Sequence, residues 1–537
     1  MVGRAILCPP SEKNKNGAHG VTRPTVKILM MSVLFLAAIN IKAAQITTLY
    51  SFNDYDGAAP WAGLIASGNT LYGTTLVGST NGNYSGTADG IGTIFRINTD
   101  GTGFTNLYSF PVNPDRNPDY PNGGYPQGSL TLFSNILYGA ATTGGQNGTG
   151  TIYKINTDGS GFTTLYHFSE KRGLNSTNSD GANPQGKLLL LDGVLYGTAV
   201  NGGDGSGTIF RVNADGTGFM TLHSLDFFVS GVNYNTNNQD GAWPSMGLTA
   251  IGNVLLYGTT SAGGRGNGAA DGNGTLFMVT TNGAFTVIHN FSTEDGTPVG
   301  ELTVVSNVLY GTTAGGGNDG YGTIFKINAD GTGFTTLFSF ADDEGGPQGS
   351  LIFSNNVLYG TTSYSVFKIN TDGTDFTDLG NFGFTINTYT EGGIALAGNN
   401  FYVTTYGGGE YGYGTVLSIS PSRPIINSIV TNTNRTVTIS CSGDAGLFYL
   451  MQAATNLAAS PIPWQNVSTN LADTNGVWQF TDALTNGGVF SQLQTNLLYA
   501  GGGSGPPNFG SNTNAVIGTN VTANTQVVRF YRAATIP

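Results

Sequence analysis

One five-residue word constrains this chain more than any other feature in it. The word occurs seven times, as Leu71-Tyr-Gly-Thr-Thr75, Leu137-Tyr-Gly-Ala-Ala141, Leu195-Tyr-Gly-Thr-Ala199, Leu256-Tyr-Gly-Thr-Thr260, Leu309-Tyr-Gly-Thr-Thr313, Leu358-Tyr-Gly-Thr-Thr362 and Phe401-Tyr-Val-Thr-Thr405. A second word follows each copy, as in Gly92-Thr-Ile-Phe-Arg-Ile-Asn98 and Gly322-Thr-Ile-Phe-Lys-Ile-Asn328, and a third ends six units, as in Phe104-Thr-Asn-Leu-Tyr-Ser-Phe110. Each unit opens on an apolar run such as Gly128-Ser-Leu-Thr-Leu132. Four short strands per unit, a to d, are joined by small polar turns, with Asp-Gly in the c–d turn at Asp100-Gly101, Asp158-Gly159, Asp215-Gly216, Asp330-Gly331 and Asp372-Gly373. Asp-Gly is a strong hairpin signal because glycine accepts positive φ. A repeating four-stranded antiparallel unit is the sequence form of a β-propeller blade.

The phase of the repeat predicts closure. The last unit ends near Ile419 without the third word, and that word stands at the other end as Ile46-Thr-Thr-Leu-Tyr-Ser-Phe52. An N-terminal strand that completes the final blade would seal the ring and remove its open edges. The expected architecture is all-β: a seven-bladed β-propeller over residues 45–420, closed by its N-terminal strand, then a linker at 421–424 and a β-sandwich over 425–537.

Composition agrees with many short strands. The chain has 537 residues, 83 of them glycine, with 11% aromatic and only 10% charged residues. Ordinary soluble domains carry roughly 25% charge. The net charge of −12 argues against a nucleic-acid partner, which needs a basic footprint. The basic residues gather in residues 1–44, at Arg4, Lys13, Lys15, Arg23, Lys27 and Lys42. Arg23 and Lys27 precede the apolar run Ile28–Ile39 and the small pair Ala43-Ala44, which reads as a secretory signal too short for a membrane span. The expectation is an exported, extracellular or cell-surface protein with no membrane span in the mature chain. Cys8 falls in the signal region and leaves Cys441 alone, so no intrachain disulfide is expected.

The words "LYGTT", "GTIFKIN.DGTGFT.LYSF" and "DG..P.G.L" resemble the GloVer-type tandem repeat of bacterial secreted and surface proteins. The resemblance covers about residues 45–420 and implies a propeller-like repeat and export; it supplies no activity and no catalytic residues. Two copies depart from the pattern: the sixth has its b–c loop shortened to Ser363-Tyr364, and the seventh has Val403 in place of the usual glycine. After Pro424 the residues "YLMQAATNL…WQNV" and the terminal "FYRA" resemble a fibronectin- or immunoglobulin-like module. Trp464, Trp478 and Cys441 are expected in its core.

Chemistry-bearing residues are few. His167, His223 and His289 all fall in strand d, the latter two in the place of the repeat tyrosine, so they read as substitutions within a repeat. Before strand a, each unit carries an acid or amide followed by glycine: Asp56, Asn122, Asp180, Asp240, Asp295, Glu344 and Glu391. Two readings are open. They could form an oxygen-lined rim near one mouth of the central channel, able to hold Ca²⁺ or meet sugar hydroxyls, or each could cap its own turn. Trp61, Tyr125 and Trp243 sit beside the repeat prolines and suit either carbohydrate stacking or packing between blades. The functional expectation is a non-catalytic, monomeric binding or scaffold protein, with a glycan, protein or envelope component on the loop face. The alternative is an extracellular polysaccharide hydrolase or lyase that uses acids near the channel mouth.

Overall fold

The computed structural model describes residues 45–78, 90–111, 120–173, 177–227, 238–264, 272–342, 344–354, 356–382, 389–390, 392–398 and 400–420, and eight strands between 425 and 535. The expected signal region 1–44, the linker 421–424, Trp464 and Glu391 lie outside these residues. The described chain is all-β, without a helix.

Seven antiparallel sheets form the ring. In blade 1 the strands run Ile65–Ser67, Thr70–Thr75, Thr93–Asn98 and Thr105–Ser109, from the innermost (a) to the outermost (d). Blades 2 to 6 repeat this order, and blade 3 adds a fifth short strand, Ala182–Pro184, that pairs with its strand b ahead of Leu189–Leu191. Blade 7 takes strands a to c from Ala395–Ala397, Asn400–Thr405 and Thr415–Ser420, and its strand d from Gln45–Ser51. That closing strand pairs antiparallel with Thr415–Ser420, in register from Gln45↔Ser420 to Ser51↔Thr415. The closure expected from the repeat phase is therefore the observed one.

Each blade is covered on both faces by its neighbours, so consecutive residues of a strand are apolar rather than alternating. Ile94 and Phe95 are both fully buried, on opposite faces of blade 1. The core is a set of inter-blade clusters. One joins Ile94 and Leu107 of blade 1 to Leu137 and Tyr153 of blade 2, and another joins Phe52, Tyr402 and Val416 of blade 7 to Leu71 and Phe95 of blade 1.

The repeat words now have physical reasons. The glycine of strand b lies opposite the aromatic of strand c, as Gly73↔Phe95 and Gly258↔Phe277. A Cβ on Gly258 would sit 2.6 Å from the Phe277 ring, so the ring needs a bare backbone. The proline before strand a packs on the glycine before strand c of the preceding blade. Gly150 has φ +109°, and a Cβ there would sit 2.5 Å from Cδ of Pro184. The residue before that proline is left-handed at Ala59, Tyr125, Asn183 and Trp243, with φ of 53–59°. This turn lets its N–H reach across the blade boundary: Tyr125 to the Ile91 carbonyl (2.7 Å), Asn183 to Thr149 (2.7 Å), Trp243 to Ser206 (2.9 Å) and Ala59 to Tyr413 (2.9 Å).

Strand a is shorter than the apolar runs suggested. In blade 2 the paired stretch is Thr131–Phe133 rather than the whole of Gly128–Leu132. The preceding residues crowd the centre of the ring, where a Cβ on Gly128 would lie 2.5 Å from the Gln185 carbonyl oxygen of blade 3.

Beyond the ring, Ile425–Thr431, Thr436–Ser442 and Val477–Ala483 form a three-stranded sheet. Gln465–Leu471, Phe448–Ala454, Phe530–Thr535, Val516–Thr519 and Thr495–Leu498 form a five-stranded one. The side chains of Cys441 and Trp478, expected in a sandwich core, lie outside the description.

Candidate functional site

The d–a loops share a face with the b–c loops of their own blade. Isolated bridges join Ala58 to Val77, Gly124 to Thr143 and Ala242 to Ala262. This face carries the acids and the amide singled out in the sequence, and the structure binds each described one to its own loop, to the outermost strand that precedes it, or to both. Tyr50 Oη donates to Asp56 Oδ2 at 2.5 Å, and the Asn53 N–H donates to Oδ1 at 3.1 Å. Asn122 Nδ2 donates to Tyr108 Oη at 2.7 Å. Asp180 accepts from Tyr166 Oη and the Ser169 N–H, both at 2.8 Å, and from the Ser169 hydroxyl. His223 Nε2 lies 2.8 Å from Asp240 Oδ2. Asp295 Oδ2 accepts from the Ser292 N–H and hydroxyl, both at 2.9 Å, with His289 Nε2 at 3.6 Å. Ahead of blade 6 the strand-d ring is Phe338 of blade 5, which offers no polar atom, and Glu344 accepts from the Ala341 N–H at 2.9 Å instead.

These bonds serve an inter-blade stack. The same strand-d ring lies flat on an aromatic of the next blade: Tyr50 on Phe104 (3.8 Å), Tyr108 on Phe162 (3.7 Å), Tyr166 on Phe219, His223 on Phe285 and His289 on Phe334 (each 3.9 Å). The acid or amide pins the polar tip of a ring whose face is already used. Burial, and then the carboxylate, pushes the phenols of Tyr50 and Tyr166 well above the ordinary tyrosine range. Burial alone raises Tyr108, and its amide partner opposes the shift. His223 and His289 are stacking members of the blades, as their place in the repeat suggested. Burial lowers the His289 imidazole below its ordinary value, against the pull of Asp295.

The aromatics beside the prolines are half-buried. Trp61 meets Tyr406 edge-on at 5.6 Å, and Tyr406 stacks on Tyr389 at 5.2 Å. Tyr125 packs into the cluster between blades 1 and 2, and Trp243 packs on Ala242 and Ala262. Among the described residues no three His, Cys, Asp or Glu side chains come together in a metal-binding group.

Residues 35–179, 116–269, 174–365 and 266–448 each match the Gloeobacter/Verrucomicrobia repeat. The chain belongs to this repeat family. The family's matches overlap along the chain and span the whole ring. No curated protein matches the chain. Among solved structures, the chain is similar to the extracellular domain of a hybrid two-component system from B. thetaiotaomicron. Identity there is 11% and the TM-score 0.44, over 75% of this chain and 46% of that one. It is similar to an oligogalacturonate lyase in complex with manganese at 9% identity and TM-score 0.44, over 71% of this chain and 94% of that one. It is similar to a chain of a nidogen/laminin complex at 13% identity and TM-score 0.33, over 59% and 91%.

Two features of this family member escaped the sequence reading. At the centre of the ring, Lys187 Nζ lies 3.9 Å from Glu301 Oε2, the two reaching from blades 3 and 5 past Gly247 of blade 4. Burial raises the Glu301 carboxyl, and Lys187 opposes it. Aligning the inner strands exposes the signal, because the equivalent positions elsewhere are Gly63, Ser129, Ser350 and Gly393. The second feature is an aromatic group at the ring closure. Of the exposed large apolar side chains, Tyr55, Phe227, Tyr321, Tyr411 and Tyr413 stand on the loop face. Three of them flank the boundary between blades 7 and 1, and the string Glu410-Tyr-Gly-Tyr413 in an otherwise glycine-rich b–c loop was the available sign.

Proposed function

We propose that this protein is a non-catalytic, exported binding or scaffold protein that takes its ligand on the face shared by the d–a and b–c loops. The observation that carries the reading is the gathering of five exposed aromatic rings, Tyr55, Phe227, Tyr321, Tyr411 and Tyr413, on that face, where the other exposed large apolar side chains (Phe133, Met220, Val254 and Phe353) are spread over separate blades. A rigid scaffold that presents variable loops on one side is a common binding arrangement. The acids that precede strand a are engaged elsewhere: Asp56, Asp180, Asp240 and Glu344 hold their own turns or strand-d rings, and Glu301 faces Lys187. Export is the reading favoured by the basic and apolar front segment. No helix among the described residues is long and apolar enough to cross a membrane.

Immobilised full-length protein challenged with a glycan array and with isolated cell-envelope fractions tests this. Saturable retention is expected, with no product released. It should weaken when loop-face tyrosines are replaced by alanine, and stay unchanged for Phe133→Ser, a residue exposed on the a–b side of blade 2. Retention lost only in Phe133→Ser, or steady release of cleaved product, would overturn the reading.

A further inference from the structure

The closure of the ring differs chemically from the other blade boundaries. The closing strand and the loop after it (Thr48 to Asn53) meet the b–c loop of blade 7 at Glu410 and Tyr411, leaving a surface recess of about 340 Å³. The Glu410 N–H donates to Ser51 Oγ at 3.3 Å, and the Ala59 N–H to the Tyr413 carbonyl at 2.9 Å, so both walls are tied by backbone rather than by the tyrosine rings. The rings themselves stay open: Tyr55 is 71% exposed, Tyr411 53% and Tyr413 39%. Glu410 is exposed, with no basic side chain within 4.0 Å among the described residues.

We propose that this recess is a subsite for a neutral polysaccharide, with Tyr411 as the stacking surface and Glu410 and Asn53 as partners for sugar hydroxyls; this rests on the loop-face reading above. The chemistry selects the ligand class. An exposed phenol ring gains from covering the C–H face of a pyranose, while its polar rim stays wet. The Glu410 carboxylate accepts from, and Asn53 Nδ2 donates to, the hydroxyls that a neutral sugar supplies in abundance, while Asn53 Oδ1 is already held by the Tyr55 and Asp56 N–H groups. The recess is large enough for one or two sugar rings, at the small end of ligand sites of roughly 300–1,000 Å³. A polyanionic glycan is disfavoured by Glu410 at the recess and by the chain's net charge of −12. Tyr50, which also lines the recess, is already fixed between Phe104 and Asp56, so that part of its wall is preorganised.

The test is affinity electrophoresis and calorimetry of the full chain against laminarin, glucomannan, hydroxyethylcellulose and dextran, with polygalacturonate and oligolysine as charged probes. The account expects at least one neutral polymer to retard the protein and polygalacturonate not to. Tyr411→Ala should weaken that binding about tenfold or more, and Glu410→Gln by less, with the melting midpoint unmoved. Full retention in a Tyr55→Ala/Tyr411→Ala variant, with loss in Tyr321→Ala or Phe227→Ala, overturns this subsite and leaves loop-face binding standing. Binding of oligolysine alone overturns the sugar assignment in favour of a basic peptide. No retention by any glycan or envelope fraction overturns both this inference and the function proposed above.

Discussion

In blades 1 to 6 a glycine on strand b faces an aromatic ring on strand c; in blade 7 Val403 faces Leu417. The seventh blade has moved bulk from one strand to the other while keeping the space between them filled. It also borrows its outer strand from the other end of the chain, and it carries the exposed Tyr411 and Tyr413. The comparison teaches that the repeat preserves a packed volume and a hydrogen-bonded frame rather than particular residues. Departures from the consensus are therefore best read in pairs.

The largest effect should come from the borrowed strand. Phe52 is fully buried and packs on Phe95 of blade 1, with ring centroids 5.2 Å apart. Phe52→Ala should cost about 3–5 kcal/mol in urea unfolding; a negligible cost would mean blade 7 is held without it. Next, Gly258→Val forces a side chain into the Phe277 ring and should cost about 1–3 kcal/mol. Combining it with Phe277→Leu recreates the blade 7 pair and should recover part of that loss. A double-mutant cycle with no coupling would break the comparison.

Smaller effects distinguish the histidine blades from the tyrosine ones. Burial holds the His289 and His167 imidazoles below their ordinary pKa of 6.5. The unfolded chain thus binds protons more readily there, and stability present above about pH 6.5 should fall as pH drops below it. His289→Tyr, which restores the repeat residue, should flatten part of that slope in melting curves taken from pH 7.5 to 5; an unchanged slope would assign it elsewhere. The smallest effect belongs to the exposed c–d turns. There hydrogen bonds from Thr102 hold Asp100 below the usual carboxylate range, and Asp158, Asp215, Asp330 and Asp372 are held likewise by their own turn partners. These groups contribute stability above their unfolded pKa and lose it as pH falls through the folded one. Asp100→Asn should leave neutral-pH melting nearly unchanged and slightly reduce the acid sensitivity.

The fold was legible because its determinants are periodic. The words of strands b and c, the Asp-Gly turns and the displaced third word at residues 46–52 each repeat or complete a pattern visible along the chain. The site was less so. That acids precede strand a could be read from Asp56 and Asp180, but not that their carboxylates turn to Tyr50 and Tyr166, because the direction of a side chain in a loop is set by its tertiary partners. The turn-capping alternative came closer at Asp56 and Asp180, missing only the stacked ring that each of these also holds. Trp61, Tyr125 and Trp243 lie beside the prolines as read, yet the left-handed turn at Tyr125 and Trp243 folds them into blade boundaries. The Tyr411 recess was hidden because its walls lie some 360 residues apart in sequence, as in the contact of Glu410 with Ser51.

Closure by residues 45–51 is the claim on which the blade count, the Val403–Leu417 comparison and the tyrosine-lined recess all depend. Cysteines placed at Thr47 and Ser418, which face each other across the ladder, in a chain carrying Cys8→Ser and Cys441→Ser, test it directly. Oxidation should give a single disulfide-linked peptide pair by mass spectrometry, with a raised melting midpoint. Failure of the two thiols to join, together with ready proteolytic removal of residues 45–51 from an otherwise intact ring, would contradict it.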